Sequence, residues 1–310
     1  MAFDVHCACA EETLRDPDPN AASRLVRAHP ATSREVLQAV RPTEEALAKA
    51  WATFGRTHSS APSLPKLKPL LDALDQSPSS LQTLPPFSGL LRFKFKLARP
   101  VITKDDRAFY FLDNPVRKDV AFGRPLFAAT SWKGCLRAAF RSLFGDTRRS
   151  SELRLFGSRK NDDETSDVSR IRGRLVFFSS HWPSIGTYVI NPHDRRKKTG
   201  MRPIYYETIP EGAEAWYAVL YCPWGSAALD AKQSAVEAAE DLSSVVVAVE
   251  HQFLLQGFGA KTSAGFGLAR DVVTSGTFQL KKSFSEIVAK KFTTLSGLST
   301  EVAKAVEGLG

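Results

Sequence analysis

The chain has 310 residues, of which 43% are hydrophobic and 24% are charged, proportions that are ordinary for a globular protein. No apolar run approaches the roughly 18–20 residues that cross a bilayer, and the N-terminal stretch lacks the basic start and apolar core of a secretory signal. We therefore expect a cytoplasmic protein with no membrane partner. The four cysteines do not have the spacing of a zinc or disulfide framework.

The net charge of +9 is concentrated in one segment. Residues 1–86 hold nine Lys and Arg against ten Asp and Glu, whereas residues 115–202 hold nineteen against eight. Concentrated positive charge with scattered aromatic residues suggests a polyanionic partner, most simply nucleic acid. The alternative is a surface whose charge serves only solubility.

The N-terminal part is predicted to contain short helices followed by a linker. Apolar residues recur at helical spacing through residues 9–55, and residues 56–86 are rich in Pro and Ser. We expect a domain boundary near Pro86. Residues 87–275 then form an RNA-binding domain with a hairpin insertion at about residues 186–206, and residues 276–310 form a helical tail.

The central domain alternates between strand and helix patterns. Its first strand has Leu91, Phe93, Phe95 and Leu97 on one face and Arg92, Lys94 and Lys96 on the other. A helix is predicted over residues 130–146, with Thr130 or Ser131 as N-cap and Gly145 as its end. Further strands are predicted within residues 171–182, 187–192, 202–210, 213–223 and 266–273, and a long helix, broken near Ser243, within residues 227–255.

This β-α-β-β-α-β order is the ferredoxin-like arrangement that also underlies RRM domains. The predicted fold class is therefore α+β, with an RRM-like domain that carries insertions and follows a small helical N-terminal region.

The helix over residues 130–146 carries cations at a spacing of four residues. Its apolar positions form one stripe: Trp132, Leu136, Phe140 and Leu143. Its cations form an adjacent face: Lys133, Arg137 and Arg141. Like charges at this spacing repel each other, so phosphates lying along the helix would explain them, while an ordinary solvated face is the alternative. Gly134, which costs about 1 kcal/mol relative to Ala inside a helix, allows another backbone to approach closely.

The segment Gly257–Gly267 is rich in glycine and hydroxyl residues, and its amides can face a phosphate. Its order is neither that of a Walker A loop nor that of a dinucleotide-binding fingerprint. A purely structural turn is the alternative. The residues predicted to bind RNA here are Gly257, Gly259, Lys261, Thr262, Ser263, Gly265 and Gly267.

Two further loops combine charge with turn-forming residues. Acidic residues crowd the first: Asp105, Asp106, Asp113 and Asp119. Carboxylates there could bind a metal or polarise a nucleophile, although Asp-Asn-Pro also forms plain turns. The second is a predicted hairpin whose tip carries Arg195, Arg196, Lys197 and Lys198, with Tyr205 and Tyr206 on the return strand. Such a hairpin can clamp a nucleic-acid strand or wedge between bases.

The helix motif and the glycine-rich loop, in this order, resemble RAMP proteins of type III CRISPR effector complexes. In that family an acidic loop leads through Gly-x-Pro to a helix start of the form Ser-x-Lys-Gly-x-x-Arg, and residues 122–140 here read FGRPLFAATSWKGCLRAAF. The closing glycine-rich loop of the family is similar to residues 257–270, GFGAKTSAGFGLAR. The resemblance covers roughly residues 88–273. One departure is that Thr130-Ser131-Trp132 replaces the family's Gly-Ser-Ser/Ala before the lysine.

The resemblance implies an RNA-binding subunit in antiviral defence. It implies contact with guide RNA through Ser131, Lys133, Arg137, Arg141 and the loop, with the basic hairpin on the guide–target duplex. The expected partners are CRISPR guide RNA, target single-stranded RNA, the other subunits of a type III complex and further copies of this chain.

Two positions in such a complex stay open. The acidic loop resembles the repeating backbone subunits, whose aspartate in this loop cleaves target RNA. This assigns catalysis and Mg²⁺ or another divalent cation to Asp113, with Asp105 and Asp106 ranked below it. The N-terminal helical region instead resembles the non-catalytic capping subunit of Cmr-type complexes. A guide-processing ribonuclease using His181 or His193 as base and an RNA-binding regulator outside CRISPR are further alternatives.

Substitution of Asp113 by Asn separates catalysis from turn formation. Asn keeps most of the turn propensity but removes the charge that would hold a divalent cation. We expect assembly and target binding to survive in the variant while Mg²⁺-dependent cutting of target RNA disappears, as measured with end-labelled RNA. Unchanged cutting would make Asp113 a structural residue.

Overall fold

The computed structural model describes residues 81–105, 114–119, 124–158, 171–194, 199–200, 203–224, 230–307 and 309. The chain divides into two units. The first takes its described residues from Ile102–Leu126 and Trp182–Pro210, and the second takes them from Lys66–Val101, Phe127–His181 and Glu211–Gly310. The helices predicted for residues 9–55 and the linker up to residue 80 lie outside the described residues.

Most strands and helices follow one another as the sequence patterns predict, but the helix Arg149–Phe156 and the strand Ile287–Thr294 were not predicted. In chain order the strands are β1 (Gly89–Leu97), β2 (Leu126–Phe127), β3 (Leu175–Phe177), β4 (Ser180–His181), β5 (Gly186–Ile190), β6 (His193–Asp194), β7 (Thr199–Gly200), β8 (Ile204–Thr208), β9 (Glu214–Tyr221), β10 (Ala269–Lys281) and β11 (Ile287–Thr294). The helices are α1 (Ala129–Phe144), α2 (Arg149–Phe156), α3 (Ala231–His251) and α4 (Leu298–Val306). Among the described residues, no helix is both long and apolar enough to cross a membrane.

The second unit is built on a five-stranded antiparallel sheet with the strand order β11-β10-β1-β9-β3. Apart from the edge strand β11, the strands lie side by side in the order β10, β1, β9, β3. Along the chain these are the fourth, first, third and second of the four strands, and α1 follows the first strand while α3 follows the third. This is the ferredoxin-like arrangement, so the predicted fold class is confirmed. In the central register, Phe93 lies opposite Gly276 on β10 and Tyr217 on β9.

An aromatic cluster fills the space between the sheet and its helices. The alternation predicted for β1 is confirmed, because Phe93, Phe95 and Leu97 are buried while Arg92, Lys94 and Lys96 are partly exposed. Trp132 packs against Phe95 at 6.1 Å and against Phe253 at 5.5 Å between ring centroids. The core thus lies on the face of the sheet that α1 and α3 cover.

Helix α1 begins earlier than predicted. Its N-cap is Ala128, so Thr130 and Ser131 lie in the first turn and do not cap it. Gly145 ends the helix in the left-handed region at a φ of 55°, which favours glycine.

The apolar stripe predicted for α1 is confirmed at Trp132, Leu136 and Phe140, which are buried together with Ala139. It is wrong at Leu143, which is 38% exposed. Leu143 lies in the last turn, where the packing passes to Phe144, whose ring lies 4.7 Å from that of Phe140.

Helix α3 runs without a break through Ser243. The Asp230 carboxylate caps it by accepting a hydrogen bond from the Gln233 amide at 2.7 Å. The valines that suggested a break, Val245, Val246 and Val249, are buried. Their burial outweighs the small helix-propensity cost of β-branched residues. The helix ends in a π-helical turn, Gln252–Gln256.

The prediction of a helical tail over residues 276–310 is wrong for most of its length. Strand β10 continues to Lys281, β11 pairs with it starting from Ile287 opposite Lys281, and only α4 is helical. The β-branched residues Ile287 and Val288 favour the strand, and pairing with β10 satisfies the backbone of β11 on that side.

The first unit contains the predicted hairpin. Strands β5 and β8 pair antiparallel, with Tyr188 opposite Tyr206 and Val189 opposite Tyr205, and β6 pairs with β7 beyond them. The basic tip, residues 195–198, lies outside the described residues.

Truncation of Trp132 tests how far this core depends on α1. We expect Trp132→Ala to lower the free energy of unfolding by about 3–5 kcal/mol, because a fully buried aromatic side chain is removed. Leu143→Ala on the same helix is the matched control and should change it by less than about 1 kcal/mol. Urea denaturation followed by circular dichroism measures both, and equal losses in the two variants would contradict this packing.

Candidate nucleic-acid interface

The glycine-rich loop is folded tightly on itself. The Phe258 amide donates to the Gly267 carbonyl at 3.1 Å, and the rings of Phe258 and Phe266 are buried. A Cβ at Gly267 would lie 1.9 Å from the Phe258 carbonyl oxygen, and one at Gly257 would lie 2.6 Å from that of Phe266. Both glycines also have positive φ. The close approach of the two ends of the loop therefore requires glycine.

The tip of the loop presents polar residues to solvent. Lys261 has a φ of 60°, which is unusual for a residue other than glycine, and its side chain is exposed. A short 3₁₀ turn over Thr262–Ala264 follows, in which the Ala264 amide donates to the Lys261 carbonyl at 2.9 Å. Ser263 is exposed on that turn. The tip thus holds a cation and a hydroxyl in a defined backbone conformation.

The loop lies against the N-terminal half of α1. The Phe258 ring contacts the Trp132 ring at 4.7 Å, and the Gly259 backbone forms a hydrogen bond with the Cys135 thiol. Burial raises the pKa of that thiol, although the hydrogen bond opposes the shift, so Cys135 stays neutral. The structure therefore brings together the helix start and the glycine-rich loop, which lie more than one hundred residues apart in the sequence.

Lys133 lies between these two contact points along α1. Burial and the positive charge of Arg137 lower the pKa of its ammonium group. In the described part of the chain, no carboxylate lies within ion-pair distance of Lys133. Ser131 lies half-buried one turn before Cys135, and Gly134 is exposed. Lys133 is thus a cation that a bound anion could neutralise.

Arg137 and Arg141 both pair with an acidic residue, which the sequence did not indicate. Both guanidinium groups bind the Glu152 carboxylate on α2, and Arg137 also donates to the Gly157 carbonyl at 3.1 Å. The side chain of Arg137 is 15% exposed and that of Glu152 is 5% exposed. Burial would raise the pKa of Glu152, but the hydrogen bonds from Arg141 and Arg137 outweigh it and hold that pKa below its usual value. These two arginines therefore stabilise the packing of α1 on α2.

A second buried ion cluster, which the sequence did not indicate, joins α2, β9, α3 and Arg174, the residue before β3. The Asp241 carboxylate is fully buried and accepts hydrogen bonds from Arg154 at 2.6 Å and from the Tyr221 hydroxyl at 3.0 Å. Arg174 binds Glu237 at 2.7 Å in the same cluster. Its members come from distant parts of the chain, so no local pattern could have revealed it.

In the first unit, the segment that follows the acidic loop runs beside β8. The Glu207 amide donates to the Asn114 carbonyl at 3.0 Å, and the Glu207 carboxylate binds the Lys118 ammonium and accepts from the Val116 amide at 3.1 Å. Asp119 accepts a hydrogen bond from the Arg124 amide at 3.3 Å, as expected of a turn.

The predicted catalytic site lies mostly outside the described residues. These do not include Asp113 and Asp106, and Asp105 is 8% exposed with its amide donating to the Pro115 carbonyl at 3.3 Å. Among the residues that are described, no three His, Cys, Asp or Glu side chains lie close enough to hold a metal ion. Of the two candidate histidines, His181 lies half-buried on β4, and the side chain of His193 is outside the described part of the chain.

Comparison with known families gives one match, and it covers more than half of the chain. The family model of the RAMP superfamily matches residues 89–270. No curated protein sequence matches.

Solved structures give low-scoring matches. A chain of the Type III-B Cmr-beta complex bound to cognate target RNA is 14% identical, with a TM-score of 0.49 over 94% of this chain and 99% of that chain. A chain of a CRISPR RNA-guided surveillance complex is 13% identical, with a TM-score of 0.43 over 62% of this chain and 68% of that chain. Neither TM-score reaches 0.5, so the fold assignment rests on the order of the strands.

Substitution of Arg137 tests the structural role of the pair with Glu152. We expect Arg137→Ala to lower the free energy of unfolding at pH 7 by about 1.5–3 kcal/mol, because a buried carboxylate loses a charged hydrogen-bond partner. Lys133→Ala removes the same charge four residues away and should change it by less than about 0.5 kcal/mol.

The difference between the two variants also depends on pH. The pKa of Glu152 in the folded chain lies below its value in the unfolded chain. The stabilisation by Arg137 is therefore present above the unfolded value of 4.5 and is lost as the pH falls through the folded value. Denaturation at a series of pH values measures this, and a difference that does not decrease toward acid pH would contradict the ion pair.

Proposed function

The chain belongs to the RAMP superfamily, and on that premise we propose that it is an RNA-binding subunit of a type III CRISPR ribonucleoprotein effector in antiviral defence. Its partners in this proposal are guide RNA, target RNA and the other subunits of the complex. We assign the grip on guide RNA to the start of α1 and the tip of the glycine-rich loop.

The contact between these two segments carries the proposal. Phe258 against Trp132 and Gly259 against Cys135 hold the loop beside α1. This places the cations Lys133 and Lys261 on segments that touch each other. Cations and loop amides contact the backbone of a nucleic acid and not its bases. A subunit that carries guides of any sequence needs this type of contact.

Arg137 and Arg141 have no direct part in the proposed grip. Their guanidinium groups bind Glu152, so part of their charge and hydrogen-bonding capacity is already used inside the fold. The proposal therefore narrows the cations of α1 that contact RNA to Lys133.

Two positions within a complex are compatible with this grip. A backbone subunit occurs in several copies, whereas a capping subunit occurs once. Native mass spectrometry of the complex purified from its own host counts the copies and identifies the bound RNA in one measurement. A chain that is recovered without nucleic acid and without partner subunits would contradict both positions.

We expect the double variant Lys133→Ala/Lys261→Ala to bind RNA more weakly regardless of its sequence. The slope of log K against log salt should become shallower by roughly 0.7 for each phosphate of a single strand that the variant no longer neutralises. Fluorescence anisotropy with a labelled RNA at several salt concentrations measures both effects. Lys304→Ala on α4, whose ammonium group binds Glu301, is the control and should leave the slope unchanged. Salt-independent RNA binding by the wild-type chain would contradict the proposal.

We assign contact with the guide–target duplex to the hairpin tip at residues 195–198. Its replacement by a short Gly-Ser linker should leave the thermal stability unchanged, because exposed hairpin tips contribute little burial. Assembly on guide RNA or engagement of target RNA should fall. A variant that does not fold would show that the tip belongs to the core.

A further inference from the structure

The sheet of the second unit has an outer face, opposite to the face that α1 and α3 cover. Successive strand residues point to opposite faces. Because Phe93 and Phe95 point toward the helices, Arg92, Lys94 and Lys96 of β1 point to the outer face. These three cations therefore lie in one row along a central strand of the sheet.

One half of the outer face is apolar and covered. Leu90 and Leu220 form a cluster there with Leu81, against which Leu84, Val176 and Phe178 pack. The covering segment, residues 81–88, is held by the buried Lys281, whose ammonium group donates to the carbonyls of Gln82 at 2.6 Å and Leu84 at 2.7 Å. The chain thus covers the apolar half of the face, whose exposure to water would be unfavourable.

The other half of the outer face is polar and accessible. We call it the polar half-face, and it consists of Arg92, Lys94, Lys96, Glu214, Trp216, Ser275, Thr277 and Lys291. Cross-strand register places Arg92 beside Thr277, and Thr277 beside Lys291 on β11. Ser275 and Lys291 are exposed, and Arg92, Lys94, Lys96 and Trp216 are partly exposed.

The charges of the polar half-face are unbalanced. Its one carboxylate, on Glu214, binds Lys94 at 3.2 Å. Lys96 lies on β1 with Arg92, and Lys291 lies on β11. The Cα atoms of Arg92 and Lys291 are separated by two strand spacings, about 10 Å. A short stretch of a flexible polyanion can reach both of these lysines.

The centre of the polar half-face is a stacked pair. The guanidinium carbon of Arg92 lies 3.8 Å from the centre of the Trp216 ring. The backbone of Trp216 is held in place, because its carbonyl accepts a hydrogen bond from the Ser180 hydroxyl at 2.6 Å. A guanidinium at this distance from the centre of an indole ring forms a cation–π contact, and unstacked bases bind to aromatic rings and to arginine planes.

We propose that the polar half-face is a second contact surface for single-stranded RNA, in which a base stacks on the Arg92–Trp216 pair and phosphates bind Lys96 and Lys291. The RRM fold uses the same face of its sheet to stack bases on aromatic side chains. This similarity is one of fold only, because the stacking pair here is an arginine and a tryptophan. The inference rests on the proposed function only in that RNA is the partner. It uses none of the residues of α1 or the glycine-rich loop.

Lysine footprinting of the full-length chain tests this surface directly. The chain is acetylated with and without a uridine oligonucleotide of about 15 nucleotides, and modified lysines are quantified by mass spectrometry. We expect RNA to lower the reactivity of Lys96 and Lys291 at least threefold. Lys232, which is exposed on α3, is the control and should react equally in both samples.

The footprint separates this inference from the proposed function. Protection of Lys133 and Lys261 without Lys96 and Lys291 overturns the second surface and leaves the proposed grip in place. Protection of Lys96 and Lys291 alone supports the second surface and overturns the grip. Protection of neither pair overturns both.

Two variants then divide the surface into charge and stacking. Lys96→Gln/Lys291→Gln should make the slope of log K against log salt shallower by roughly 1.4, which corresponds to two phosphates. Lys232→Gln should leave the slope unchanged.

Arg92→Lys keeps the charge but removes the planar group. We expect the slope to stay the same and the affinity to fall at least about fivefold, the lower range for loss of one stacked base. Wild-type affinity in Arg92→Lys, or a wild-type slope in the double variant, overturns the corresponding part of the proposal. Melting temperatures show whether each variant is folded. If a variant does not fold, the lysine footprint of the wild-type chain tests the proposal instead.

Discussion

The burial of Trp132 holds together the parts of the second unit to which we assign RNA contacts. Its ring packs against Phe258 of the glycine-rich loop and stacks on Phe253 of the π-helical turn. Its indole N–H donates to the Ser180 hydroxyl at 2.9 Å, and that hydroxyl donates in turn to the Trp216 carbonyl. An indole combines a large apolar surface with one directional donor. One side chain therefore positions the loop beside α1 and also orients α1 on the sheet.

Several described cations of the central segment are paired inside the fold. Residues 115–202 have many more cations than acids, but the partners of several arginines come from elsewhere in the chain. Arg154 and Arg174 bind Asp241 and Glu237, which belong to α3. Buried charges are tolerated only when they are paired. Among the described residues, these paired arginines are therefore less available to a nucleic acid than the sequence pattern suggests.

The cations to which we assign RNA contacts lie on two sides of one sheet. Lys133 and Lys261 belong to the helix α1 and to the loop that packs on it, while Lys96 and Lys291 belong to the outer face. A strand of RNA that contacts one side cannot contact the other without passing around an edge of the sheet. The two proposals together therefore assign two separate segments of RNA, or two strands, to the second unit.

Local sequence patterns determined the elements of this protein and their order. The two-residue alternation of β1, the helical stripe of α1 and the hairpin around residues 190–204 were all predictable, because each depends on contacts between near neighbours in the chain. The patterns misplaced Leu143 and the tail at β11, where packing against another element overrides local preference.

Only the tertiary structure decided which charges are paired inside the fold and which are available to a partner. Three contacts depend on which elements approach each other. Glu152 binds Arg137, Lys281 is buried under the covering segment, and Arg92 lies over the ring of Trp216. Periodicity shows which residues of one element share a face. It does not show what covers that face, because the free energy of pairing a charge is determined by groups that are distant in sequence and close in space.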